Sequence, residues 1–136
     1  MDTENKRFVV EMWRAFSSLE PFLAEDAVWI APPGNATAKF IGEAGGMIGR
    51  ESIVQFVTEK FPRIFAREVK LDLKGVYADG DTVVIELTLS AILANNRPYQ
   101  NDYCFVHTVK DSEVIEMREY MDTYNGHRMF FGDCAS

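Results

Sequence analysis

The chain has 136 residues, 47% of them hydrophobic and 26% charged, with a formal net charge of −7. That length suits one domain, expected to span residues 1–136, and the composition is that of an ordinary globular protein. The acidic balance argues against nucleic acid or an anionic membrane as partner, and no apolar run approaches the ~20 residues of a membrane helix.

In chain order, residues 4–18 place Phe8, Val9, Met12, Trp13 and Phe16 on one stripe at helical spacing, with Thr3 as a cap. A second short helical turn is predicted over Glu20–Glu25, with Pro21 at a permitted early position. Ala27–Ala31 reads as a strand stopped by Pro32-Pro33. Residues 32–49 hold five glycines and no clear period, which predicts a long loop acting as a lid, with a short strand near residues 39–41. Its glycines lack the Lys-Ser/Thr ending of a phosphate loop. Ile53, Phe56, Val57, Phe61, Ile64 and Phe65 mark a third amphipathic helix over 50–65, kinked or divided at Pro62.

Strands follow: Lys70–Tyr77, Thr82–Leu93, Tyr99–Val109 and Glu113–Thr123, separated by turn-forming Ala78–Asp81, Asn95-Asn96 and Lys110–Ser112. Helices first and an antiparallel sheet after make an α+β pattern, with three N-terminal helices against a mainly antiparallel sheet. Cys104 and Cys134 have no metal-ligand spacing, and no other residues do, so no metal or cofactor is expected. The first residues, Met-Asp-Thr-Glu-Asn-Lys, have no basic-then-apolar leader pattern, and a cytoplasmic protein with reduced thiols is expected.

The turns set which side chains meet. A two-residue turn at Asn95-Asn96 puts Thr88 opposite Tyr103, Ser90 opposite Asn101 and Glu86 opposite Phe105. A three-residue turn at Lys110–Ser112 puts Tyr103 opposite Glu119, Phe105 opposite Met117 and Asn101 opposite Met121. One face would then hold all of these, mixing aromatics with carboxylates as a small-molecule pocket does. A one-residue slip would turn Glu119 to the other side. The opposite face would carry Leu87, Leu89, Ala91 and Leu93, an apolar patch that predicts a homodimer, beside an ion-pair lattice of Asp102, Arg118 and Asp122.

Leu23-Ala-Glu-Asp-Ala-Val-Trp29, Pro32-Pro-Gly34, Gly49-Arg-Glu-Ser-Ile53, Asn101-Asp-Tyr103 and Met117-Arg-Glu-Tyr-Met-Asp-Thr123 resemble the nuclear-transport-factor-two-like superfamily, in its SnoaL-like and ketosteroid-isomerase-like branch. The resemblance implies a cone-shaped sheet wrapped on helices around a deep pocket, usually in a dimer. It leaves the activity open, since the fold hosts isomerases, dehydratases, cyclases, epoxide hydrolases and binders. The chain departs from two catalytic patterns of that superfamily. The isomerase base would fall at Ile30 or Ala31, and its second carboxylate near Phe105. The Asp-Arg-Asp set of epoxide hydrolases would fall on Glu86, Thr88 and Glu119.

Glu119 is the leading candidate acid or base, because a carboxylate in an aromatic cavity loses hydration and its pKa rises. The plainer alternative is a carboxylate held by a cation or by Tyr103. Tyr103 or Asn101 would bind a substrate oxygen, Trp29, Phe105, Met117 and Met121 would shape the walls, and Glu86, Thr88 and Ser90 would complete the lining. Glu86, about 10 Å from Glu119 by strand spacing, either shares acid and base work or is a rim charge. His107 reads as a packing or surface residue and His127 as part of a solvated tail. The expected ligand is a small apolar or aromatic molecule. The expected activity is cofactor-independent proton transfer, with plain ligand binding or dimerisation as the alternative.

Overall fold

The computed structural model describes residues 2–33, 35–37 and 46–132. Helix α1 (Asp2–Arg14) buries Val9, Met12 and Trp13, the stripe its periodicity predicts. Two 3₁₀ turns, Phe16–Ser18 and Glu20–Phe22, lead into strand β1 (Leu23–Ile30), which therefore starts earlier than its alternation suggests. The two-residue β2 (Met47–Ile48) precedes α2 (Arg50–Gln55), a π-helical turn over Phe56–Lys60 and α3 (Phe61–Ile64). Pro62 has no N–H to continue an α-helical ladder, and the wide turn ahead of it accommodates that loss. The strand expected near residues 39–41, most of the expected lid and Cys134 lie outside the described residues.

Strands β3 (Phe65–Asp79), β4 (Thr82–Leu93), β5 (Pro98–Lys110) and β6 (Glu113–Met121) complete a six-stranded mixed sheet of order β2-β1-β6-β5-β4-β3. Only β1 and β6 run parallel among the paired strands. β3 shifts register three times against β4, and such bulges bend a strand. A further helix, α4 (Thr123–Phe131), follows the sheet and packs on β5. The helices thus lie before and after the sheet, which corrects the expectation of three N-terminal ones. Asp122 caps α4 by accepting from the Asn125 backbone N–H at 2.9 Å, and Gly132 ends it at φ +91°. The cap, the apolar Met129-Phe130 and the closing glycine were all present in sequence, but Gly126 leaves the buried face without an apolar side chain at its position.

Both central hairpins differ from the expected ones. Between β4 and β5 the loop is three residues, Ala94–Asn96, with Leu93 N–H donating to the Arg97 carbonyl. Asn96 takes the left-handed φ of +67°, and the Asn95 side chain accepts from the Arg97 N–H at 3.1 Å. Asn tolerates that conformation, so a type I turn with a trailing left-handed residue competes with the two-residue turn. The extra residue shifts the register by one: Leu87 lies opposite Tyr103, Thr88 opposite Asp102 and Glu86 opposite Cys104. Glu86, Thr88 and Ser90 therefore point away from Tyr103 and Phe105. Leu87, Leu89, Ala91 and Leu93 are core, each at most 5% exposed, so the patch that suggested a homodimer is absent from the outer face.

Between β5 and β6 the turn is Asp111-Ser112, both at positive φ, and a bulge follows between Thr108 and Val109. Together they displace the register by two residues, which preserves the face. Glu119 stays on the side of Tyr103 but lies opposite Phe105, while Met121 lies opposite Tyr103 and Met117 opposite His107. The expected ion-pair lattice does not form: Asp102 accepts from Thr88 at 2.7 Å, Arg118 pairs with Glu116 at 3.0 Å, and Asp122 is the helix cap.

Candidate functional site

The inner face of the sheet and the helices line a cavity of about 170 Å³. Trp29 from β1, Phe105 and Tyr103 from β5, and Glu119 from β6 stand in its sheet wall beside Leu71 of β3 and Leu87 and Leu89 of β4. Trp13 of α1 lies against Phe105 with ring centroids 4.6 Å apart, and Phe56 meets Trp29 edge-on at 5.5 Å. Lys60, Asn35, Thr37 and Ser52 add polar groups to the lining. The α1 stripe and the 50–65 stripe read in sequence only as core; nothing in their spacing separates residues that pack solidly from those that border a hollow.

Glu119 is the enclosed carboxylate of this cavity. Strands β1 and β6 are parallel neighbours with Trp29 beside Met117, which brings the indole to Glu119. Trp29 Nε1 donates to Glu119 Oε1 at 2.8 Å. The residue as a whole keeps some accessible surface where it borders the cavity, but its carboxyl is surrounded, and the carboxyl's surroundings govern ionisation. Loss of hydration raises its pKa to about 7, against the smaller opposing effect of the indole N–H. A group titrating there exchanges protons efficiently near neutral pH.

Tyr103 is a diagonal neighbour of Glu119 across β5 and β6. Its hydroxyl is hydrogen-bonded to that of Tyr99, and burial raises the pKa of both phenols, with Glu119 adding to the effect. Both remain proton donors at neutral pH. Asn101 does not border the cavity; it is buried behind Tyr103 and donates to Tyr99 Oη at 3.3 Å and to the Asp122 carbonyl at 3.0 Å. Tyr99 was not singled out in sequence, although it shares the face of Asn101 and Tyr103 by strand alternation.

Of the remaining sequence candidates, Met117 is core and Met121 faces α4, where a Cβ on Gly126 would lie 3.1 Å from Met121 Cε. Glu86 accepts from the Tyr77 hydroxyl at 2.9 Å on the outer side, so the pair of carboxylates flanking a substrate is not assembled. Ser90 lies opposite Gln100 on that same outer side. At the end of β1, Ala31 borders the cavity where an isomerase of the resembled branch would carry its base. His107 is fully buried: Nε2 accepts from Trp13 Nε1 at 2.9 Å, and Nδ1 lies 2.9 Å from the Val83 carbonyl. Burial lowers its pKa to about 4, so it is a neutral strut behind the Trp13 wall. Among the described residues no cluster of His, Cys, Asp or Glu has the arrangement of a metal site.

Residues 7–117 match the profile of the SnoaL-like domain. The chain belongs to the SnoaL-like domain family. None of the functionally curated proteins matches it. Solved structures share the fold of this SnoaL-like domain. TerC, co-crystallised with polyporic acid, is 20% identical with a TM-score of 0.77, covering 93% of this chain and 97% of its own. A protein of ketosteroid-isomerase-like fold from Catenulispora acidiphila, in complex with trimethylamine, is 18% identical with a TM-score of 0.70, covering 89% and 90%. A putative SnoaL-like polyketide cyclase from Jannaschia is 18% identical with a TM-score of 0.74, covering 97% and 94%. At these identities the likeness concerns the fold. No helix of the described residues is long and apolar enough to cross a membrane.

Proposed function

We propose that this SnoaL-like domain catalyses cofactor-independent proton transfer on a small, largely apolar molecule bearing a carbonyl group. The observation that carries the reading is Glu119: a carboxyl enclosed by aromatic walls, held by the Trp29 indole, with its pKa raised to about 7. The ionised form takes a proton from carbon next to the carbonyl. The C–H electron pair becomes a C=C bond, and the carbonyl pair moves onto oxygen, where the Tyr103 hydroxyl donates to it. Returning the proton to another carbon completes an isomerisation. Protonating a departing hydroxyl completes a dehydration, and attack of the enolate carbon on a second carbonyl of the same molecule, with Glu119 returning its proton to the new alkoxide, completes a cyclisation. Apolar walls suit this chemistry by keeping water from the enolate and by selecting flat or ring-containing substrates. Polyporic acid and a polyketide, named for two solved relatives, are molecules of that general kind.

The test is exchange of α-hydrogens for deuterium in a panel of cyclic and aryl ketones, followed by NMR. Wild-type protein accelerates exchange with a rate that rises with pH and levels off above about 7, and Glu119→Gln loses about 10²- to 10⁴-fold. A second reading, ligand binding without turnover, is favoured by the outward turn of Glu86, which leaves one carboxylate to give and to receive the proton. That reading wins if no ketone exchanges while Glu119→Gln retains the affinity of the wild-type protein for those that bind.

A further inference from the structure

Behind the cavity wall, four side chains and one helix form a hydrogen-bonded chain whose direction can be read from backbone groups of fixed polarity. Asn125 of α4 lies beside the Gln100 carbonyl, which can only accept, so its Nδ2 faces that carbonyl at 3.1 Å. Its Oδ1 faces Arg128, which can only donate. The same Nδ2 donates to Asn101 Oδ1 at 3.1 Å, and the Asp102 backbone N–H donates to that oxygen at 3.0 Å. Asn101 is thereby oriented with Nδ2 toward the Asp122 carbonyl and toward Tyr99 Oη. The oxygen of Tyr99 accepts from Asn101, and its one hydrogen goes to the Tyr103 oxygen. The reverse orientation would leave the Tyr99 hydrogen without an acceptor in a residue only 2% exposed. The Tyr103 hydrogen is consequently not used within the phenol pair, and Tyr103 is a residue that borders the cavity.

Gly126 explains how closely the helix is fitted to this chain. A Cβ there would lie 3.2 Å from Asn101 Nδ2 and 3.7 Å from the Tyr99 hydroxyl. Glycine lets α4 lie directly on the buried amide. We infer that α4 is the positioning element of the site: Asn125 and Gly126 hold Asn101 so that hydrogen bonds run from Asn101 to Tyr99 to Tyr103, aiming the Tyr103 hydrogen at an anionic oxygen of the bound molecule. This rests on the proposed role of Tyr103. The positioning residues touch no ligand and act only through the phenol pair.

The test measures affinity for 4-nitrophenolate, a flat anion with one charged oxygen, and for nitrobenzene, a similar molecule without it. All proteins carry Glu119→Gln, so that no carboxylate repels the phenolate. Adding Tyr99→Phe or Asn125→Ala weakens 4-nitrophenolate about fivefold to tenfold, the range expected when one hydrogen bond to an anion loses its alignment, and leaves nitrobenzene within twofold. Gly126→Ala behaves likewise where thermal melts show it folded; Asn125→Ala makes no steric demand and stands in where it is not. If Tyr103→Phe lowers phenolate affinity while Tyr99→Phe and Asn125→Ala do not, the inference is overturned and the role of Tyr103 survives. Equal losses for both probes also overturn it, since they mean that α4 only supports the fold. If Tyr103→Phe changes nothing, or phenolate does not bind, the functional reading fails with it.

Discussion

Replacing Glu119 by Gln removes a charge and keeps the shape, and the structure specifies how stability should respond to pH. Glu119 has a folded pKa of about 7 against an ordinary 4.5. Between those values the folded state holds a proton that the unfolded chain has released, so stability falls as pH rises, and the deficit is complete above about 7. Linkage converts that gap to roughly 3 kcal/mol. His107 acts in the opposite sense. Its folded pKa of about 4 lies below the ordinary 6.5, so between them the unfolded chain binds the extra proton. The stability it preserves is complete above 6.5 and is lost as pH falls toward 4, again roughly 3 kcal/mol. From pH 4.5 to 6.5 the two contributions nearly cancel in the wild-type protein. Glu119→Gln removes one of them. The variant matches wild type near pH 4.5, gains stability with pH, and exceeds it by up to about 3 kcal/mol above pH 7. Urea unfolding across pH 4.5–8, followed by the fluorescence of the buried Trp13 and Trp29, measures both curves. A difference between them that is constant with pH would mean that Glu119 titrates as an ordinary surface carboxylate, and the reasoning about the site would fall with it.

Trp29→Phe keeps most of the apolar wall but removes the donor to Glu119, so its pKa should move above the wild-type value of about 7; a 13C-carboxyl NMR titration reads the shift, and a fall would contradict the arrangement. The register of β4 is tested by adjacent substitutions: Leu87→Ala, in the core, should cost about 2–5 kcal/mol in urea unfolding, and Thr88→Ala, on the outer face, about 1 kcal/mol or less.

The helical stripe of α1, the strands and the face assignment of Glu119 were legible because side-chain period is a local property that follows backbone geometry. Trp29 was legible as a wall residue; its bond to Glu119 depends on a parallel pairing of β1 with β6 across most of the chain. Glu86, Thr88 and Ser90 were misplaced because Asn96 admits a left-handed conformation that turns a two-residue loop into a three-residue one. Glu119 escaped the same fate because a turn change and a bulge displaced its strand by an even number of residues. Helix α4 was hidden by a glycine whose reason is a tertiary contact, not a turn.

The order of residues thus determined most of the element types and the family, through periodicities and short motifs that need only neighbouring residues. Tertiary structure decided which groups surround the carboxylate, how far its pKa rises, and which way the Asn101–Tyr99–Tyr103 chain points. Hydration and hydrogen-bond polarity belong to surroundings assembled from distant segments, and a single residue's shift in one hairpin is enough to rearrange them.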